Sequence, residues 1–125
     1  MPAVRNFAVP AAMLLLAGCD GGEAAAPGHR VQGADAGRGP VLMAQYGCTA
    51  CHRIPGVAGP RGVVGPPLTG FAGRVMIAGS FPNTPANLVA WLRDPPAMLP
   101  VTAMPDMGVG EAEARDMAAY LYTLD

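Results

Sequence analysis

The sequence predicts a small all-α domain, and three observations predict it. Three segments carry apolar residues at helical spacing. No run alternates with period two for long enough to make a strand. Between the first two helical segments lies a Gly/Pro-rich stretch of about thirty residues, 53–82. A loop that long fits a compact domain only when something fills it. A large apolar group would give those residues something to wrap.

The elements can be justified in order. The first is "RGPVLMAQYGCTACH", residues 38–52, with Pro40 suited to a first helical turn and Val41, Leu42, Gln45 and Tyr46 on one rhythm. The second is "NTPANLVAWLRD", residues 83–94. Asn83 or Thr84 can cap it, Pro85 fits its first turn, and Leu88, Trp91 and Leu92 share a face. Pro95 and Pro96 stop it. The third is "GEAEARDMAAYLYTL", residues 110–124. Glu111 and Glu113 stand in its first turn, where the helix dipole favours acid, and Met117, Tyr120, Leu121 and Leu124 form its apolar stripe.

Composition narrows the function classes. The chain of 125 residues has a net charge of −1, and only 14% of it is charged. Its eight basic residues are all arginine, and no basic patch marks a nucleic-acid surface. Gly and Pro, at 17 and 14 residues, approach the level of a disordered chain, yet 51% of the residues are hydrophobic. A domain this small often needs a staple: a disulfide, a metal or a large cofactor.

The first residues read as an export signal. "MPAVRNFAVPAAMLLLAGC" has one positive charge, Arg5, then an apolar run from Phe7 to Ala17 broken only by Pro10. That run is shorter than the roughly 20 apolar residues a bilayer span needs. It ends in "LAGC", residues 16–19, which resembles the lipobox of bacterial lipoproteins and implies cleavage before a lipidated Cys19. The alternative is an ordinary secretory signal cut near Ala17 or Gly18. Residues 20–37 show no hydrophobic period and read as a flexible linker reaching roughly 20–25 Å root-mean-square. His29 falls there and reads as a solvated linker residue. The expected division is therefore a signal over 1–18, the lipidated cysteine and linker over 19–37, and the folded domain over 38–125.

The domain's chemistry is concentrated in Cys48-Thr49-Ala50-Cys51-His52. This is the C-x-x-C-H pattern of covalent haem attachment. Residues three apart on a helical turn share a face, so two thiols can meet two vinyl groups of one porphyrin. The histidine behind them is then placed to be the proximal iron ligand. A zinc site would need four Cys or His ligands, which the domain lacks, and a thioredoxin-like C-x-x-C would need a βαβ context. The cofactor expected is one covalent haem c.

A sixth ligand must come from elsewhere. Methionine is the remaining soft, neutral donor, and residues 38–125 hold Met43, Met76, Met98, Met104, Met107 and Met117. Met43 and Met117 fall on helix faces and suit a core. Met104 and Met107 share the irregular loop "LPVTAMPDMG", where Pro100 and Pro105 restrict the chain. Residue type and context leave both open.

Residues 38–125 resemble a class I, mitochondrial-type cytochrome c. The resemblance runs from the first helix and C-x-x-C-H, through "GPPLTGFAGR" and "WLRDPPAMLPVTAMP", to "AAYLYTL". It implies that Pro66 accepts from the His52 ring, that Arg74 and Thr102 lie near haem propionates, and that Trp91 is the buried aromatic near the ligand. It also implies Met104 rather than Met107 as the axial ligand. Locally, Ala78–Trp91 is similar to the haem domain fused to subunit II of some bacterial haem–copper oxidases. The sequence departs from the family in having no lysines, and in placing Ala44 and Tyr46 where the first helix usually carries an aromatic.

The function implied is electron transfer. A His/Met-ligated iron has no open site and changes oxidation state with little rearrangement. The expectation is a non-enzymatic carrier on the periplasmic face of a bacterial inner membrane, lipid-anchored. It would take electrons from a quinol-oxidising or dehydrogenase donor and pass them to a terminal oxidase. Alternatives are a haem subunit held permanently in an oxidase or dehydrogenase complex, and a haem peroxidase or gas sensor.

Overall fold

The computed structural model describes residues 27–125. The expected signal and Cys19 lie outside the described residues. Among the described residues are four α-helices: α1 (Gly39–Gln45), α2 (Pro85–Arg93), α3 (Pro95–Met98) and α4 (Glu111–Leu121). α4 is the organising element, because both α1 and α2 pack on it. The core lies between them and takes in Leu42, Met43, Leu88, Trp91, Met117 and Leu121.

α1 is shorter than the sequence suggests. It ends at Gln45, and Gly47 follows at φ 74°, a left-handed conformation that terminates helices. The α1–α4 crossing is close because residue 39 is glycine. A Cβ built there would stand 3.0 Å from Tyr120 Cγ and 3.1 Å from the Asp116 carbonyl oxygen. Met43 and Met117, 1% and 0% exposed, fill the interior as their helix positions predict. Tyr46 sends its hydroxyl to the Glu113 carboxylate, a second tie between α1 and α4.

α2 starts where capping chemistry predicts. Thr84 Oγ1 accepts from the Asn87 N–H at 3.2 Å, and Pro85 takes the first helical position. Pro95 and Pro96 do end α2, and they also begin α3, which Asp94 caps through the Ala97 N–H at 3.0 Å. Met76–Ile77 pair antiparallel with Phe81–Pro82, an element the sequence did not announce. Two residues are too few for an alternating pattern to register. The turn between them uses Ala78 at φ 50° and Gly79 at φ 64°.

The boundary expected at residue 38 is corrected by packing. Residues 29–38 lie on the domain. His29, expected to be a solvated linker residue, stacks on Tyr122 with ring centroids 4.2 Å apart and planes 10° from parallel. Val31 packs against the core. The Gln32 carbonyl accepts from Arg115 at 3.1 Å. Asp116, 4% exposed, accepts the Asp35 N–H at 2.7 Å and pairs with Arg38 at 3.0 Å. The segment shows no hydrophobic period because single residues, not a face, make these contacts.

Asp116 thus anchors the segment to α4. Asp116→Ala removes two charge-assisted hydrogen bonds and should lower unfolding free energy by about 1.5–3 kcal/mol, read from urea midpoints. Limited proteolysis should also cut the variant before residue 38 faster than the parent chain.

Candidate functional site

The site begins where α1 stops. After Gly47, Cys48–Ala50 form one turn of 3₁₀ helix. The Cys51 and His52 N–H groups both donate to the Cys48 carbonyl, at 3.3 and 3.0 Å. Both thiols and the imidazole therefore belong to one tight turn. Cys48 and Cys51 are unpaired and half-buried. Burial pushes the Cys48 thiol above its usual range, with the neighbouring Cys51 adding to the shift.

His52 is held from two sides. Its Nδ1 lies 2.7 Å from the Pro66 carbonyl oxygen. A carbonyl can only accept, so Nδ1 carries a proton, and in the neutral ring the lone pair is therefore on Nε2. Gly65 lies against the same ring: a Cβ built there would stand 2.6 Å from Nδ1 and 2.8 Å from Nε2. Any side chain at 65 would displace the imidazole.

The other expected residues are placed as follows. Arg74 reaches the Pro67 and Thr69 carbonyls and lies over the Phe71 ring, 5.5 Å from its centroid. Trp91 is buried and meets Phe81 with ring centroids 6.1 Å apart. Thr102 Oγ1 accepts the Met104 N–H at 3.2 Å. Met104 is half-buried and packs against the core, whereas Met107 is 44% exposed and Met76 is 40% exposed. Among the described residues no hydrogen bond joins the Thr102–Met104 pair to the His52–Pro66 pair.

A family profile for cytochrome c matches residues 29–125. The chain belongs to the cytochrome c family. It is also 36% identical over 92 residues to a cytochrome c oxidase subunit 2 of Alkalihalophilus pseudofirmus, an alignment covering 71% of this chain and 25% of the relative. The chain thus spans about a quarter of that protein's length. A cytochrome c domain is an electron carrier, and the family implies covalently bound haem c.

The residues present fit that group. Burial disfavours a thiolate at Cys48 but not a neutral thioether. The tautomer fixed by Pro66 leaves Nε2 as a donor of the kind iron takes. The Gly65 cradle holds the ring with no side chain in the way. A separate cavity of about 680 Å³, lined by residues including Thr49, Arg53, Arg61 and Thr69, contains none of Cys48, His52 and Met104.

One functional position escaped the sequence reading. Asn83, weighed there only as a helix cap, is instead a buried tie. Its Nδ2 donates to the Arg74 carbonyl at 2.9 Å and the Phe71 carbonyl at 3.3 Å, and its Oδ1 accepts the Tyr122 hydroxyl at 2.9 Å. It thereby holds the backbone of Arg74 against the C-terminal end of α4. A neighbouring Thr able to cap was the available signal that Asn83 was free for other work.

This network makes the domain sensitive to alkali. Burial pushes the Tyr122 hydroxyl up to about 12 from 10.0. Tyr120 is raised by burial too, and Tyr46 chiefly by its hydrogen bond to the Glu113 carboxylate. A raised folded-state pKa contributes stability that is complete below the unfolded value and lost as pH rises through the folded one. Urea midpoints should hold steady to about pH 9.5 and fall between pH 10.0 and about 12. Tyr122→Phe should lower the midpoint at neutral pH and shrink the alkaline fall.

Proposed function

We propose that this chain is a membrane-anchored monohaem c-type cytochrome that transfers single electrons in a respiratory chain, to a terminal oxidase. The observation that carries the proposal is the His52–Pro66 pair, 2.7 Å apart, on the turn that also presents Cys48 and Cys51. In this reading the two cysteines hold the cofactor covalently, His52 Nε2 is the proximal ligand and Met104 the distal one. Haem c, when bound, supplies a one-electron ferric/ferrous couple. The protein's part is to keep the ligand atoms in place in both oxidation states. Pro66 fixes the His52 tautomer, and Thr102 holds the backbone at Met104. Trp91 supplies buried apolar surface, and Arg74 a cation whose guanidinium is held at the Pro67–Thr69 carbonyls. The exposure of Met107 supports Met104 over Met107.

The donor would be a quinol-oxidising complex or a dehydrogenase. The location proposed is the periplasmic face of a bacterial inner membrane, with Cys19 lipidated after removal of residues 1–18. A second reading is a haem subunit held permanently in an oxidase. The similarity to an oxidase subunit 2 favours it. Co-purification from detergent-solubilised membranes separates the two: a bound subunit stays with the complex at high salt.

The ligand assignment is tested by two alanines. Met104→Ala should lower the midpoint potential and allow rapid carbon monoxide binding to the reduced protein, because a thioether ligand is replaced by water or nothing. Met107→Ala should leave both nearly unchanged. The reverse pattern would move the ligand to Met107. Fast carbon monoxide binding by the parent protein would favour a peroxidase or gas sensor instead.

The anchor is tested at Cys19. Cys19→Ala should move the protein from the membrane to the soluble fraction with its visible spectrum unchanged. Two or more acyl chains hold a protein stably, at about 0.8 kcal/mol per buried CH₂, whereas one is marginal. Continued sedimentation with membranes would place the anchor in a partner or in an uncleaved signal.

A further inference from the structure

Glycine recurs at every third position through Gly56, Gly59, Gly62 and Gly65. The last three face the Cys48–His52 turn, and the first faces α4. A Cβ on Gly56 would meet the Tyr120 hydroxyl, and one on Gly59 the Thr49 side chain. A Cβ on Gly62 would sit on the Ala50 carbonyl and 2.6 Å from the Cys51 carbonyl carbon. The fourth meets the His52 ring. Between them, Val63 and Val64 point outward, 80% and 78% exposed. Pro60 and Pro66 directly follow two of these glycines and limit the freedom of the segment.

The backbone hydrogen bonds follow the same register. The Gly62 N–H donates to the Thr49 carbonyl at 2.9 Å, the Gly65 N–H to the Cys51 carbonyl at 2.8 Å, and the Leu68 N–H to the Arg53 carbonyl at 2.8 Å. A single 3₁₀ turn leaves the carbonyls after it without partners of their own. Residues 62–68 supply those partners. The far end is fastened to α4, where the Tyr120 hydroxyl donates to the Pro55 carbonyl at 2.5 Å.

We infer that residues 56–68 form a strap in triplet register that clamps the Cys48–His52 turn and sets the orientation of the His52 ring, with Gly62 as a positioning residue. The inference rests on His52 being the iron ligand. Its logic is mechanical. The Gly62 contact is with backbone, which cannot rotate away, so a methyl at 62 must lift the strap. Lifting it draws Pro66 from Nδ1. A weaker Nδ1–H bond makes the imidazole a poorer donor, which disfavours ferric iron and raises the potential.

The experiment uses the haem-loaded protein. In the parent chain, the Gly62, Gly65 and Leu68 amides should exchange with deuterium as one set, on the order of 100-fold slower than Val63 and Val64. In Gly62→Ala, the Gly65 and Leu68 amides should exchange faster and the midpoint potential should rise. Val63→Ala, in the same strap but facing outward, should change neither. Exchange of Gly62, Gly65 and Leu68 at the rate of Val63 and Val64 in the parent overturns the strap, even if the Gly62 variant does not accumulate. Faster exchange in Gly62→Ala with an unmoved potential overturns its positioning role. His52 ring protons free of paramagnetic shift in the ferric protein would overturn the ligand reading itself, whatever the amides do.

Discussion

The close approach of a chain segment to one imidazole governs this molecule. The Pro66 carbonyl lies 2.7 Å from His52 Nδ1, and Gly65 rests on the ring where any Cβ would collide. A histidine on a short turn has two free rotations and two tautomers. Left alone it would sample several orientations. One carbonyl and one missing side chain remove that freedom. This is preorganisation by backbone, which has no rotamers to lose. It explains why the long Gly/Pro-rich stretch is irregular. Its residues are placed to offer carbonyls and bare α-carbons, not to make a helix or a sheet.

The remainder of the fold holds that approach steady. α4 receives α1 at Gly39, receives α2 across the core, and fixes the strap through Tyr120. Asp116 and Arg115 on the same helix bind the segment before α1. Tyr122, just past its end, reaches the Arg74 backbone by way of Asn83. A small domain has little apolar surface to spend on rigidity. Here a few buried polar ties, each with its partner in place, do part of that work; among the described residues no buried side-chain polar atom lacks a partner.

The segment before α1 is packed on the domain. The composition of residues 29–37 suggests a linker, yet the segment is docked by a ring stack, a packed valine and a hydrogen bond to a buried carboxylate.

Much of the fold was legible in the sequence because its signals are local. Pro85 behind Thr84 marks the start of α2, and Glu111 and Glu113 mark the start of α4. Met43 and Met117 follow from helical spacing alone, and Cys48, Cys51 and His52 announce their chemistry by separation. What only the tertiary structure decided is non-local. Asn83 was equally able to cap a helix or to bridge Arg74 and Tyr122; the choice depends on what lies across from it. His29 looked solvated because nothing near it in sequence could cover it, and Tyr122 lies 93 positions away (122 − 29). Gly56, Gly59, Gly62 and Gly65 are regularly spaced, but a glycine has no side chain to reveal which surface it avoids. Sequence determines which groups are available to hold a haem. Packing decides which backbone is close enough to hold the histidine still, because closeness is a property of two segments and neither carries it alone.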